Sequence, residues 1–121
     1  MATLSTKLTI TSSDARTDNF SLILSDILTI ADPIETGKRN VTTAVAGGGE
    51  FVAAADSNTY YVYLKNLDAT NFVSIQDDAA ATFQVLYPLE WTWFCLAPSE
   101  GLELRANTDT VRVEYGLFKK G

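Results

Sequence analysis

From residue 58 to residue 118 the chain is one short strand-like run after another, each with two-residue alternation and each closed by turn residues. The run 59–65, Thr-Tyr-Tyr-Val-Tyr-Leu-Lys, stops at Asn66-Leu67-Asp68-Ala69-Thr70-Asn71, and Phe72-Val73-Ser74-Ile75-Gln76 stops at Asp77-Asp78. β-Branched and aromatic runs at this spacing restrict the chain to an all-β sandwich or barrel. Every large apolar side chain can then be assigned to a buried face, which leaves polar loops and edges as the working surface.

At 121 residues the chain is long enough for one domain and short for two, so residues 1–121 are expected to form a single β-sandwich domain. With 46% hydrophobic and 11% aromatic residues it has the side chains to fill a core without staples. The balance of 9 basic against 15 acidic residues gives a net charge of -6, and only Lys38-Arg39 and Lys119-Lys120 place two cations side by side. Phosphate neutralisation needs a clustered basic footprint, so nucleic acid is not an expected partner. The same acidity argues against an anionic membrane surface. No apolar run approaches the roughly 18 to 20 residues that span a bilayer, and the first residues lack the basic start and apolar stretch of a secretory leader. Cys95 is the single cysteine, which excludes an intrachain disulfide and fits assembly in a reducing cytosol. Within Trp91-Thr92-Trp93-Phe94-Cys95-Leu96 it is expected to be a small buried hydrophobe.

In the first half, Leu4, Thr6, Leu8 and Ile10 alternate with Ser5, Lys7, Thr9 and Thr11, giving a strand with one apolar and one hydroxyl-rich face. Residues 20–30 are ambiguous, because Leu24, Ile27 and Leu28 also fall at helical spacing; their Ser, Thr and Ile content favours strand. After Asp32-Pro33 the ladder resumes over residues 38–46 with Val41, Thr43 and Val45 on one face. Gly47-Gly48-Gly49 is expected to be a tight turn or a mobile tip, and residues 50–55 a short strand. Further on, Tyr61 and Tyr63 share one face against Tyr60, Val62 and Leu64 on the other, and Phe83, Val85 and Tyr87 continue the alternation up to Pro88. Trp91 and Trp93 oppose Thr92, Phe94 and Leu96, so one of those two faces must meet something besides the first core. Leu102, Leu104 and Ala106, then Val111, Val113, Tyr115 and Leu117, complete about eight strands.

The chain contains no histidine, which removes the commonest general base, the usual hydrolase triad and most zinc sites. Asp77-Asp78 lacks the spaced acidic ligands and glycine of a calcium loop and is expected to be a solvated turn. Glu90 with Glu100, Glu103 or Asp109 is the only carboxylate pairing to weigh for acid–base work, and outward-facing charges on strands account for it as well. The three glycines have no following Lys-Ser/Thr and no helix, so they are not a phosphate loop. No enzyme activity, catalytic residue, cofactor or metal is expected. The aromatic group Tyr60, Tyr61, Tyr63, Tyr87, Trp91 and Trp93 is assigned to the sandwich core and a subunit interface, the alternative being a ring platform for sugars.

The segment Tyr60-Tyr61-Val62-Tyr63-Leu64-Lys65-Asn66-Leu67-Asp68-Ala69-Thr70-Asn71-Phe72-Val73, followed by Leu86-Tyr87-Pro88-Leu89-Glu90-Trp91 and by Leu104-Arg105-Ala106-Asn107-Thr108 with Val113-Glu114-Tyr115, resembles a group of small virion proteins of tailed phages, cyanophages among them. In that group an Asn-rich hairpin precedes a Pro-Gly-Glu turn and a C-terminal strand. Leu89 stands where the group has the glycine. The resemblance spans about half the chain, implies a capsid decoration (cement) protein or another head or tail accessory subunit, and brings no catalytic residue with it. Asn66, Asp68 and Asn71 suit such a turn because their side chains can bond nearby backbone.

The expectation is therefore an antiparallel β-sandwich of jelly-roll type, a structural virion protein that bridges major capsid subunits on the head surface. Its partners would be the major capsid protein and copies of itself, a homotrimer adding weak contacts through effective concentration. A tail, neck or baseplate part and a carbohydrate-binding module for host attachment are the alternatives. Candidate interface residues are Leu4, Thr6 and Lys7 in a possible contact strand at residues 1–11, the tip Gly47, Gly48 and Gly49, and Trp91 and Trp93.

Overall fold

A computed structural model describes residues 2–14, 17–31 and 33–121. Ten strands follow in chain order: β1 (Ala2–Ser12), β2 (Phe20–Ile30), β3 (Glu35–Val41), β4 (Glu50–Val52), β5 (Tyr60–Asn66), β6 (Val73–Gln76), β7 (Thr82–Leu86), β8 (Trp91–Leu96), β9 (Leu102–Ala106) and β10 (Val111–Lys119). They fall into two compact units, Met1–Asp32 together with Gly121, and Pro33–Lys120.

The first unit is a hairpin. β1 and β2 pair antiparallel without a slip from Ala2↔Ile30 to Ser12↔Phe20. The helical spacing of Leu24, Ile27 and Leu28 loses to this ladder, which satisfies the backbone along eleven-residue strands of Leu, Ile, Thr and Ser.

The second unit is an all-β sandwich of two four-stranded antiparallel sheets, ordered β3-β10-β5-β8 and β4-β9-β6-β7. The pairing is nested: β3 meets β10, β4 meets β9, β5 meets β8 and β6 meets β7, while β10–β5 and β6–β9 contacts complete each sheet. The inward positions of the alternating runs meet between the sheets. Val41, Val62, Leu64, Val73, Ile75, Leu102, Leu104, Val111 and Val113 are wholly buried there. Each such side chain stabilises the fold by about 1.5–3 kcal/mol relative to an exposed one.

Four expectations change at this level. The strand placed at residues 38–46 is β3, which starts at Glu35 and ends at Val41, where its partner β10 begins at Val111. Beyond it the Thr42 hydroxyl accepts from the Ala44 N–H at 3.3 Å, and Val45–Gly47 forms a single 3-10 turn, so Val45 never joins the ladder. Likewise β4 stops at Val52, with a register shift against β9.

In β7 the inward parity belongs to Leu86, opposite Val73, and Gln84, opposite Ile75. Tyr87 is consequently exposed, whereas Phe83, at the register shift between Ile75 and Gln76, is half exposed with its ring edge against Phe94 at 5.9 Å.

The Asn-rich segment after β5 is not a hairpin turn, because β5 and β6 belong to different sheets. It is a crossover, and Asn66 holds it. Its buried side chain donates to the carbonyls of Asn71 (2.9 Å) and Leu86 (3.0 Å) and accepts from the Asp68 N–H (2.8 Å). The Asp68 carboxylate in turn accepts from the N–H groups of Asn71 and Thr70 and from the Thr70 hydroxyl, and these bonds lower its pKa.

Candidate interaction surfaces

The hairpin places Leu4, Leu8, Ile10, Leu22, Leu24 and Leu28 on one face, with Thr6 opposite Asp26 in its middle. The other face carries Ser5, Lys7, Thr9, Thr11, Ser21, Ser25 and Thr29, with Ile23 and Ile27 among them. Within its own unit neither face of this two-stranded ribbon has a second layer among the described residues. Ile23, Leu24 and Ile27 are 58%, 55% and 69% exposed, and Ile10 and Leu22 also face solvent. Lys7 and Asp26 are the only charges in its two strands, and neither strand contains proline. No third strand pairs with either among the described residues. Long strands with open edges and few charges are templates for another chain. Of the sequence-derived contact residues, Leu4 and Thr6 lie half-buried on the apolar face, and Lys7 lies exposed on the hydroxyl face opposite Ser25.

The glycine tip has an internal explanation. A Cβ on Gly47 would collide with Thr42, and one on Gly49 with the carbonyl oxygen of Leu104, whose N–H donates to the Gly49 carbonyl at 2.7 Å. Gly48 sits at φ +99°, where a Cβ would also come within 2.6 Å of the Asn40 carbonyl oxygen. Gly49 is buried, and the three residues close the turn from β3 into β4.

Trp91 and Trp93 lie on the outer face of the β3-β10-β5-β8 sheet, because Thr92, Phe94 and Leu96 hold the inward parity of β8 opposite Leu64, Val62 and Tyr60. Cys95 shares that outer face and is exposed, contrary to its expected burial. β8 is an edge strand, and its central neighbour β5 turns Val62 and Leu64 into the core, which fixes the parity of both. Most of the rings assigned to the core are outside it: Trp91 is 54% exposed and Tyr87 57%, whereas Tyr60 packs against the core. Trp93 stacks on Tyr61 with centroids 6.1 Å apart and planes 6° from parallel, and leans on Phe118 at 5.8 Å. Beside them the Tyr63 hydroxyl donates to Glu114 at 2.7 Å. Trp91 makes no such ring contact among the described residues.

At the edge of the sandwich, Trp91 lines an open cleft of about 540 Å³ together with Gln84, Leu89, Glu90 and Thr92. The turn leading into it is Tyr87-Pro88-Leu89-Glu90, closed by a bond from the Glu90 N–H to the Tyr87 carbonyl at 3.1 Å, with Leu89 at φ +66°. Glu90 Oε1 accepts from the Tyr87 N–H at 2.9 Å, which fixes its carboxylate.

Two further carboxylates accept from backbone N–H groups. Asp77 Oδ1 accepts from the Ala79 and Ala81 N–H groups, both at 2.9 Å, and shapes the turn between β6 and β7. Asp56 accepts from the Asn58 N–H and the Tyr60 hydroxyl, and its pKa is lowered by those bonds. Glu103 lies opposite Gln76 and Glu50 in the sheet. Among the described residues, no group of three or more Cys, Asp and Glu side chains is placed to hold a metal ion. No described helix is long and apolar enough to cross a membrane.

No protein-family model matches the chain, and neither a curated protein nor a solved structure is significantly similar to it.

Proposed function

We propose that this chain is a structural virion protein of a tailed phage, a capsid decoration or cement protein that bridges major capsid subunits and associates with its own copies. The observation that carries this reading is the β1–β2 hairpin, whose strands expose Leu24 and Ile27 on opposite faces and have no strand neighbour on their outer edges among the described residues, the Gly121 N–H meeting only the Thr29 carbonyl near the end of β2. An isolated two-stranded hairpin is marginal in water, so a long apolar one is best supported by a partner that supplies the missing layer or strand. Capsid subunits and other copies of this chain, present in a repeating array, would make each weak contact count several times over. The nested pairing of the eight sandwich strands supports the same reading, since nested pairs are what a jelly roll, two Greek keys wrapped face to face, would require. No cofactor enters this role.

The test is reconstitution on heads that lack the protein. Added protein should cosediment with the shell, saturate at a copy number near that of the major capsid protein, and raise the temperature at which the heads rupture. Saturation at tens of copies would instead favour a neck, tail or baseplate position. A chain that neither binds the shell nor self-associates at any concentration would sink the proposal.

A further inference from the structure

We infer that β8, the open edge of the β3-β10-β5-β8 sheet, pairs antiparallel with β8 of a second copy of this chain across a twofold axis at Trp93, joining two four-stranded sheets into one. The inference goes beyond the shell role and does not depend on it. The direction of the backbone groups carries the argument. The Asn66 N–H donates to the Glu90 carbonyl at 2.9 Å, and the Leu67 N–H to the Arg112 carbonyl at 2.9 Å. Even-numbered residues of β5 therefore bond to β8 and odd-numbered ones to β10, because antiparallel pairs alternate between bonded and unbonded. On β8 the bonded partners are Thr92, Phe94 and Leu96, opposite Leu64, Val62 and Tyr60. The N–H and C=O groups of Trp91, Trp93 and Cys95 point the other way, into an edge that no described strand occupies.

β8 differs from the other three edges of the sandwich. β3 carries Glu35, Lys38 and Arg39, β4 is three residues long with a register shift against β9, and β7 has a register shift against β6. Charges, shortness and bulges keep an edge from pairing. β8 has none of these: Trp91-Thr92-Trp93-Phe94-Cys95-Leu96 is uncharged, lacks proline and pairs with β5 in unbroken register. The occupant that fits is a second copy. A twofold at Trp93 sets Trp93 opposite Trp93 of the second copy and Trp91 opposite its Cys95, with about six backbone hydrogen bonds, two for each pair. An aromatic pair directly across the axis is favourable, and the exposed indoles gain cover. Charge does not oppose the register despite a net charge of -6, because Glu90 falls opposite Leu96 of the second copy and away from its own mate.

Sedimentation equilibrium of the full-length chain from micromolar to millimolar concentration tests the pairing, with reductant present so that no Cys95 disulfide contributes. A monomer–dimer equilibrium is expected. In hydrogen exchange followed by NMR, the Trp91, Trp93 and Cys95 amides should be protected in the concentrated sample and lose that protection on dilution. Cys95→Pro removes a pairing N–H from each copy and leaves the β5 ladder intact, since an edge strand accepts proline where its N–H faces outward. It should weaken the dimer by about tenfold or more, whereas Cys95→Ser should not. Trp93→Lys sets two ammonium groups opposite each other at the axis and should abolish the dimer. Leu24→Ser combined with Ile27→Ser separates this edge from the hairpin, and the dimer should persist in that double variant. Circular dichroism of dilute samples shows whether the edge variants are folded; should they not be, the exchange of the wild-type amides decides alone. The pairing is overturned by a monomer at every concentration, by a dimer that survives both Cys95→Pro and Trp93→Lys, or by Trp93 exchange that is independent of concentration. None of those results bears on cosedimentation with heads, so the shell role stands or falls separately.

Discussion

Tyr63 on β5 and Glu114 on β10, 51 positions apart in the chain, are joined across the two central strands of their sheet by a 2.7 Å hydrogen bond from the phenol to the carboxylate. Burial of the ring and then the bond to Glu114 push the phenol up to about 12 from its ordinary 10. The folded state therefore keeps a proton that the unfolded chain gives up first. The stabilisation is complete below pH 10 and is lost as pH rises from 10 towards 12. Tyr60, raised by burial and by Asp56, adds to the same loss. Urea denaturation across that window should show a steep fall in stability that Tyr63→Phe makes shallower. An unchanged slope in Tyr63→Phe would show that this bond does not couple to folding.

Leu89 occupies the position where the type II turn after Pro88 demands a positive φ, and it adopts +66° despite its Cβ. The left-handed region costs an ordinary residue roughly 1–2 kcal/mol that glycine does not incur. Leu89→Gly should therefore raise stability by about 1 kcal/mol, after some loss to unfolded-state entropy. Leu89→Ala keeps the Cβ and should give no comparable gain. Thermal melts of the two variants side by side decide the matter, and equal shifts would mean that removal of an exposed leucine, not backbone relief, is responsible.

Alternation alone made the sandwich core legible. In β9 and β10 the inward sets Leu102, Leu104, Ala106 and Val111, Val113, Leu117 are found buried, while Tyr115 of the same set is only partly buried against the core. What alternation cannot tell is which of two faces is covered when both are apolar. Cys95, Trp91 and Trp93 lie on the exposed face of β8 because its partner β5 fixes the parity, and that pairing joins segments about thirty residues apart. Local pattern also misses bulges. The register shift in the β6–β7 pair frees Phe83 from the parity of Leu86. The hairpin is the largest omission, since β1 and β2 alternate in the same way whether or not a second sheet lies against them.

The position of Trp93 makes a comparison possible. As a ring on the outer face, 36% exposed and held mainly by Tyr61 and Phe118, it should cost about 1–2 kcal/mol when replaced by alanine. Leu64, wholly buried in the same sheet, should cost about 2–5 kcal/mol as Leu64→Ala. Chemical denaturation of both variants tests the assignment. Should Trp93→Ala prove as damaging as Leu64→Ala, the ring would have to contribute to folding in a way that its contacts do not show.

The hairpin separates stability from association. Leu24 lies opposite Leu8 on the apolar face and Ile27 opposite Ser5 on the hydroxyl face, both more than half exposed. Exposed positions of this kind usually change folding stability by less than about 0.5 kcal/mol when substituted, so Leu24→Ser and Ile27→Ser should leave the melting of the isolated chain nearly unaltered. If a capsid subunit or another copy of the chain covers these faces, each loses buried area on binding, and full burial of one leucine or isoleucine is worth about 1.5–3 kcal/mol, or roughly ten- to a hundredfold in affinity. Cosedimentation with heads should reveal which face is covered: loss with Leu24→Ser alone marks the apolar face as the seat, and loss with both marks a hairpin enclosed on two sides. Full binding by the double variant would remove the hairpin faces from any account of attachment and leave its backbone edges as the contact.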